Sequence, residues 1–209
     1  MAKIKTTIRS IKGLTKFIKN LPTNKIVLFF INPVNYMDVN LEIVKIITIQ
    51  NKFSGIYITV NRPFTTLVEI MKKKGIDTDK IFFIDCITKM VPTPKGVSLL
   101  TKKQYEVTEN CIFIPSPSRL TEIGLALSEA LAGMKEPKSK FLYLDSLSTL
   151  LIYNDIETIA KFIHFLTTRV RLFGIVGIIM SIEKKVDERL FSILSEICDI
   201  IADVSLKRR

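Results

Sequence analysis

The feature that most constrains this chain is the alternation of short, almost wholly apolar runs with helix-length amphipathic stretches. IVLFFI at 26–31, GIYITV at 55–60, KIFFID at 80–85, CIFIP at 111–115, FLYLD at 141–145, GIVGIIMS at 174–181 and IIADVSL at 200–206 read as strands. They are apolar at consecutive positions, a pattern a strand keeps when both of its faces are covered. Between them, Asp38 is placed to cap a helix to about Asn51, and Pro63 fits the first turn of a helix ending before Gly75. Ser118 can cap a helix to about Met134, Asn154 and Glu157 are spaced as a capping box for a helix closing at Gly174, and 187–197 is a last helix. Seven covered strands interleaved with helices predict an α/β fold: a mostly parallel central sheet between two helical layers, forming one domain over 1–209.

Two segments depart from this rhythm. At the start, Ile4, Ile8, Ile11, Leu14 and Ile18 recur at helical spacing, predicting a basic amphipathic helix over 1–20. Between 90 and 110, Pro92, Pro94 and Gly96 predict an irregular excursion.

The charge of +11 is concentrated. Residues 1–25 carry Lys3, Lys5, Arg9, Lys12, Lys16 and Lys19 with no acid, a candidate basic surface for nucleic-acid phosphates or an acidic membrane face. The competing reading is that the apolar stripe docks on the sheet and leaves the lysines solvated. No apolar run approaches the roughly 18 residues of a membrane-spanning helix. Lysines cut through the N-terminal segment where an export signal needs an apolar stretch, so a cytoplasmic setting is expected. Cys86, Cys111 and Cys198 are odd in number and widely spaced, as buried apolar residues of a reducing compartment would be. His164 is the sole histidine, which removes Ser/His and Cys/His catalysis and the usual zinc ligands.

In open parallel sheets, ligands sit beyond the carboxyl ends of the strands. There the sequence places Asn61, Asp85, Ser116, Asp145, Ser146 and Ser181, the candidate ligand-binding residues, with Asp145 the candidate metal ligand. A phosphate cradle after the first strand would need glycines and a Lys-Ser or Lys-Thr pair. The segment Asn32-Pro-Val-Asn-Tyr-Met-Asp38 has neither, and no glycine stands between Gly13 and Gly55. The second strand ends in Asn61, which cannot take a proton from water as a carboxylate would. The simplest reading of Asp85 and Asp145 is that they cap neighbouring turns.

Four segments together carry a resemblance: GIYITVNRPFT at 55–65, IFFIDCITK at 81–89, FIPSPSRLTEI at 113–123, and FLYLDSLSTLLI at 141–152 with IADVSLK at 201–207. In order and spacing the chain resembles the RecA superfamily of P-loop ATPases and, within it, the archaeal KaiC-like proteins. The resemblance implies a three-layer RecA-like core, ATP with magnesium as cofactor, Asp145 as the magnesium-organising acid, a Walker A loop after the first strand and a catalytic glutamate near the end of the second. Here those last two positions are Asn32–Asp38 and Asn61. The fold and Asp145 therefore carry over as expectations, and ATP hydrolysis does not.

Three functions follow. One is a non-catalytic RecA-like module, regulatory or scaffolding, that associates with a protein partner or with copies of itself. The second is binding of a nucleotide or small polar ligand at the strand ends without a P-loop. The third is charge-driven binding of nucleic acid or acidic membrane through the basic N-terminal segment.

Overall fold

The computed structural model describes residues 4–90, 106–108, 110–134, 139–182 and 188–206. Among these, nine strands form one sheet: β1 (Ile4–Ile8), β2 (Ile26–Ile31), β3 (Ser54–Thr59), β4 (Ile81–Asp85), β5 (Glu106–Thr108), β6 (Cys111–Phe113), β7 (Lys140–Asp145), β8 (Val176–Ile182) and β9 (Ile200–Val204). Their order is β1-β9-β2-β8-β7-β3-β4-β6-β5, and every pairing is parallel except β5 with β6.

The strand periodicity divides the core in two. Along β2, Ile26, Leu28 and Phe30 enter one apolar cluster, while Val27, Phe29 and Ile31 enter the other. The first cluster is closed by α4 (Leu120–Gly133), α5 (Leu147–Tyr153), α6 (Ile156–Phe173) and α7 (Glu188–Ile197). The second is closed by α1 (Ile11–Lys19), α2 (Tyr36–Lys45) and α3 (Phe64–Lys73). This is a three-layer α/β architecture, and the covering of both sheet faces is what consecutive apolar strands require.

The N-terminal segment corrects the expected helix over 1–20. Residues 4–8 form β1, and the helix begins only at Ile11, after Ser10 accepts a hydrogen bond from the Gly13 amide at 3.1 Å. The stretch Ile-Lys-Thr-Thr-Ile is dominated by β-branched residues, and that strand preference outweighs the helical spacing of its isoleucines. Leu14 and Ile18 are fully buried, so α1 docks on the sheet and its lysines stay in solvent.

Three helix starts also move. α2 begins at Tyr36, which puts Asp38 in its first turn, and the helix passes into a π-helical turn at Ile46–Gln50. Ser118 pairs with Ser116, Oγ to Oγ at 2.8 Å, and α4 begins at Leu120. Asp155, not Asn154, caps α6 by accepting from the Thr158 amide at 2.8 Å, while Asn154 donates to the Leu150 carbonyl at the end of α5. Of the expected excursion over 90–110, residues 91–105 and 109 lie outside the described residues, and 106–108 form edge strand β5. Among the described residues, no helix is long and apolar enough to cross a membrane.

Candidate functional site

β8, β7, β3, β4 and β6 are consecutive in the sheet, so their carboxyl ends share one rim. Asp145 ends β7, the middle strand of the nine, with 2% exposure, too little for water to satisfy a carboxylate. Protein donors do so instead. Oδ1 accepts from the Tyr36 hydroxyl and, at 2.8 Å, from Asn61 Nδ2, while Oδ2 accepts from the Tyr57 hydroxyl at 2.6 Å.

Each donor has a traceable origin. Tyr36 is the first residue of α2, half-buried, with its hydroxyl turned inward. Tyr57 and Tyr143 occupy paired positions of β3 and β7, their rings stacked at 4.8 Å. Both hydroxyls lie 3.1 Å from Asn40 Oδ1, and Asn40 stands one helical turn beyond Tyr36. Tyr57 has one proton, which goes to the carboxylate, the charged and nearer acceptor. Tyr143 donates to Asn40 Oδ1, so Asn40 holds Tyr143 while the Tyr57 proton goes to Asp145. Burial first, and then the Asp145 charge, raises the pKa of Tyr36, Tyr57 and Tyr143 well above the ordinary phenol value. All three are neutral hydroxyls at physiological pH and can donate.

The remaining candidates make the following hydrogen bonds among the described residues. Asn61 joins the Asp145 network, its Oδ1 accepting from the Thr149 hydroxyl. Thr149 also lies 3.1 Å from Ser146 Oγ, and Ser146 caps α5 by accepting from the Thr149 amide at 3.3 Å. Ser181 is buried and pairs with Ser148 at 3.0 Å. Ser116 is engaged by Ser118. Asp85, fully buried at the end of β4, takes the amides of Ile87 and Thr88 on Oδ1 at 2.7 and 2.9 Å. Its Oδ2 takes the Phe64 amide at 2.6 Å and the Thr88 hydroxyl at 2.5 Å. Asp85 thus ties its own turn to the start of α3, the turn-capping role expected of it.

Each of the six candidates is thus engaged in a local hydrogen-bond network. A cation at Asp145 would have to displace three neutral donors. Among the described residues, no group of three or more His, Cys, Asp or Glu gathers as a metal cluster.

Of the basic surface, Lys5, Arg9, Lys12, Lys16 and Lys19 are exposed, and Lys3 lies outside the described residues. Sequence reasoning missed Tyr36, Asn40, Tyr57, Tyr143 and Thr149. The readable signal was the two tyrosines inside covered strands, since a buried phenol needs a partner for its hydroxyl.

Residues 82–204 match a family described as "Family of unknown function (DUF7504)". No curated protein matches the chain in sequence. Among solved structures, a KaiC-like protein from the hyperthermophilic archaeon Pyrococcus horikoshii aligns with all of this chain and 83% of its own, with a TM-score of 0.62 and 14% identity. The flagellar accessory protein FlaH from Methanocaldococcus jannaschii aligns over 91% of this chain and 75% of its own, with a TM-score of 0.51 and 12% identity. At these identities the likeness is one of fold.

Proposed function

The chain belongs to the DUF7504 family of unknown function, and on that footing we propose that it is a RecA-like module that does not hydrolyse nucleotide and acts by associating with other proteins, as a regulator or scaffold. The observation that carries this reading is the Tyr36 hydroxyl bound to Asp145. In the fold this chain shares with KaiC-like proteins, the loop after the first central strand is where phosphates would be cradled. Here that connection delivers a tyrosine that closes over the acid instead.

Two further features support it. The N-terminus of a helix attracts anions, but the first turn of α2 already contains Asp38, which repels a phosphate. At the position of the water-activating acid, both polar atoms of Asn61 are engaged, one on Asp145 and one on Thr149. Binding of a nucleotide at the rim is disfavoured for the same reason, because the polar groups it would need are spent on one another.

The test is titration of ATP with and without magnesium, followed by calorimetry and by thermal unfolding. A ligand at 100 times its dissociation constant would add about 2.7 kcal/mol of stability. We expect neither heat nor a shift. ATP turnover, or a nucleotide-dependent rise in Tm that disappears in Asp145→Ala, would overturn the reading.

A further inference from the structure

We infer that β1 is a docking edge for an extended segment of a partner protein, one in which acidic and apolar residues alternate. This surface is distant from Asp145 and does not depend on whether nucleotide binds, so failure of the ATP test and failure of this one can be told apart.

Among the described residues, β1 is the outermost strand of the sheet and pairs on one side only, with β9. The Ile8 carbonyl accepts from the Ser205 amide at 2.9 Å, so the backbone polar groups of Ile8 point toward β9. Because these groups alternate sides along a strand, the N–H and C=O of Lys5 and Thr7 point outward, a ready template for another strand.

The flanking chemistry specifies the occupant. Ile8 packs with Leu14 and Ile18 in the α1-side cluster, so Thr6 shares that face while Lys5 and Thr7 stand on the other. On the α1 side a groove of about 460 Å³ runs beside β1, with Ile8, Phe17 and Leu21 as apolar lining and Arg9 and Lys16 as cations. On the other face Lys5 is exposed. Asp203, in register with Thr7, is an acid on that face but stands on β9, one strand further from the edge; counting Arg9 and Lys16 with Lys5, three cations face this one acid. A strand added here would seat alternate side chains in the groove and turn the others toward Lys5, hence apolar alternating with acidic. Strand addition draws affinity from main-chain hydrogen bonds and specificity from alternate side chains.

Other occupants fit less well. Membrane insertion needs a free apolar helix face, and that of α1 is docked. Nucleic acid would use the cations but leave the outward N–H and C=O row unused. A second copy would set one basic edge against another.

The full chain would be titrated with a fluorescein-labelled peptide, acetyl-Glu-Val-Glu-Val-Glu-Val-Glu-amide, and anisotropy followed. The key variant is Thr7→Pro, since the Thr7 N–H lies outside the β9 ladder and an edge strand tolerates proline at such a position. We expect saturable binding that weakens at least tenfold in Thr7→Pro and in the Lys5→Glu/Arg9→Glu double variant, and on N-methylation of alternate peptide amides. The N-methylated peptide keeps the test decisive if Thr7→Pro unfolds. Equal binding of the methylated peptide, or no binding at all, overturns the inference. So does tighter binding of a single-stranded oligonucleotide that is indifferent to Thr7→Pro, or concentration-dependent self-association that Thr7→Pro abolishes.

Discussion

Asp85 and Asp145 end strands on the same rim, two places apart in the sheet, and both are buried, yet they are held in opposite ways. Asp85 is satisfied by three backbone amides and one hydroxyl, mostly from the turn that follows it. Asp145 is satisfied by side chains alone, brought from α2, β3 and the segment after β3. The first arrangement is local punctuation. The second is tertiary, its donors drawn from three separate segments of the chain.

The largest blow to this contrast should come from Asp85→Ala. It strips the acceptor from four buried donors at once, so we expect a loss of about 3–4 kcal/mol in urea unfolding. Asp145→Asn keeps the shape but removes the charge, and should cost about 2 kcal/mol, because three hydrogen bonds to a charged acceptor weaken to neutral ones. It should also let the buried tyrosines ionise more readily, read by spectrophotometric titration. If Asp145→Asn instead left stability untouched, the three short contacts would not be what holds the rim together.

Tyr36→Phe removes a single hydroxyl at the mouth of the site and should cost about 1.5 kcal/mol, the value of one hydrogen bond to a charged acceptor. Its more telling readout is magnesium or ATP binding, measured by calorimetry. Continued absence of binding would show that the site is closed by more than one ring.

The tyrosines also make an alkaline prediction. Their folded-state pKa values are raised by burial and by Asp145, so the stability they confer is complete below the unfolded value of about 10 and is lost as pH rises above it. Tyrosinate absorbance should therefore appear together with unfolding and not before it.

The smallest effect comes from a third acid at the opposite ends of the strands. Burial pushes the pKa of Asp199 up, but the Ile26 amide at 3.0 Å, Lys25 at 3.0 Å and Arg171 at 3.4 Å outweigh it, and the net shift is downward. With a depressed folded value, its contribution is present above the unfolded pKa of about 3.9 and is lost as pH falls through that region. Asp199→Asn should flatten the acid limb of the stability profile. Unlike Asp145, Asp199 is held partly by cations, so its effect should shrink with added salt.

Much of the fold was legible because apolar periodicity and burial are two views of one constraint. β2, β3, β4, β7, β8 and β9 lie where consecutive apolar residues placed them. β1 was misread because Ile4 and Ile8 satisfy a helical spacing while Ile-Lys-Thr-Thr-Ile favours a strand. Pairing with β9 is a contact nearly 200 positions away, beyond any local window. The strand-end acids were legible by the same logic. What the acids do was not legible.

By itself, then, the sequence determined the layers, the rim and the residue types that stand on it, since these follow from short-range patterns. Only the tertiary structure decided that Tyr36 reaches Asp145 across 109 positions while Asp85 is satisfied by its own turn. The physical reason is that a carboxylate's partners are chosen by proximity and desolvation in the packed state, and neither is encoded in the spacing of the residues along the chain.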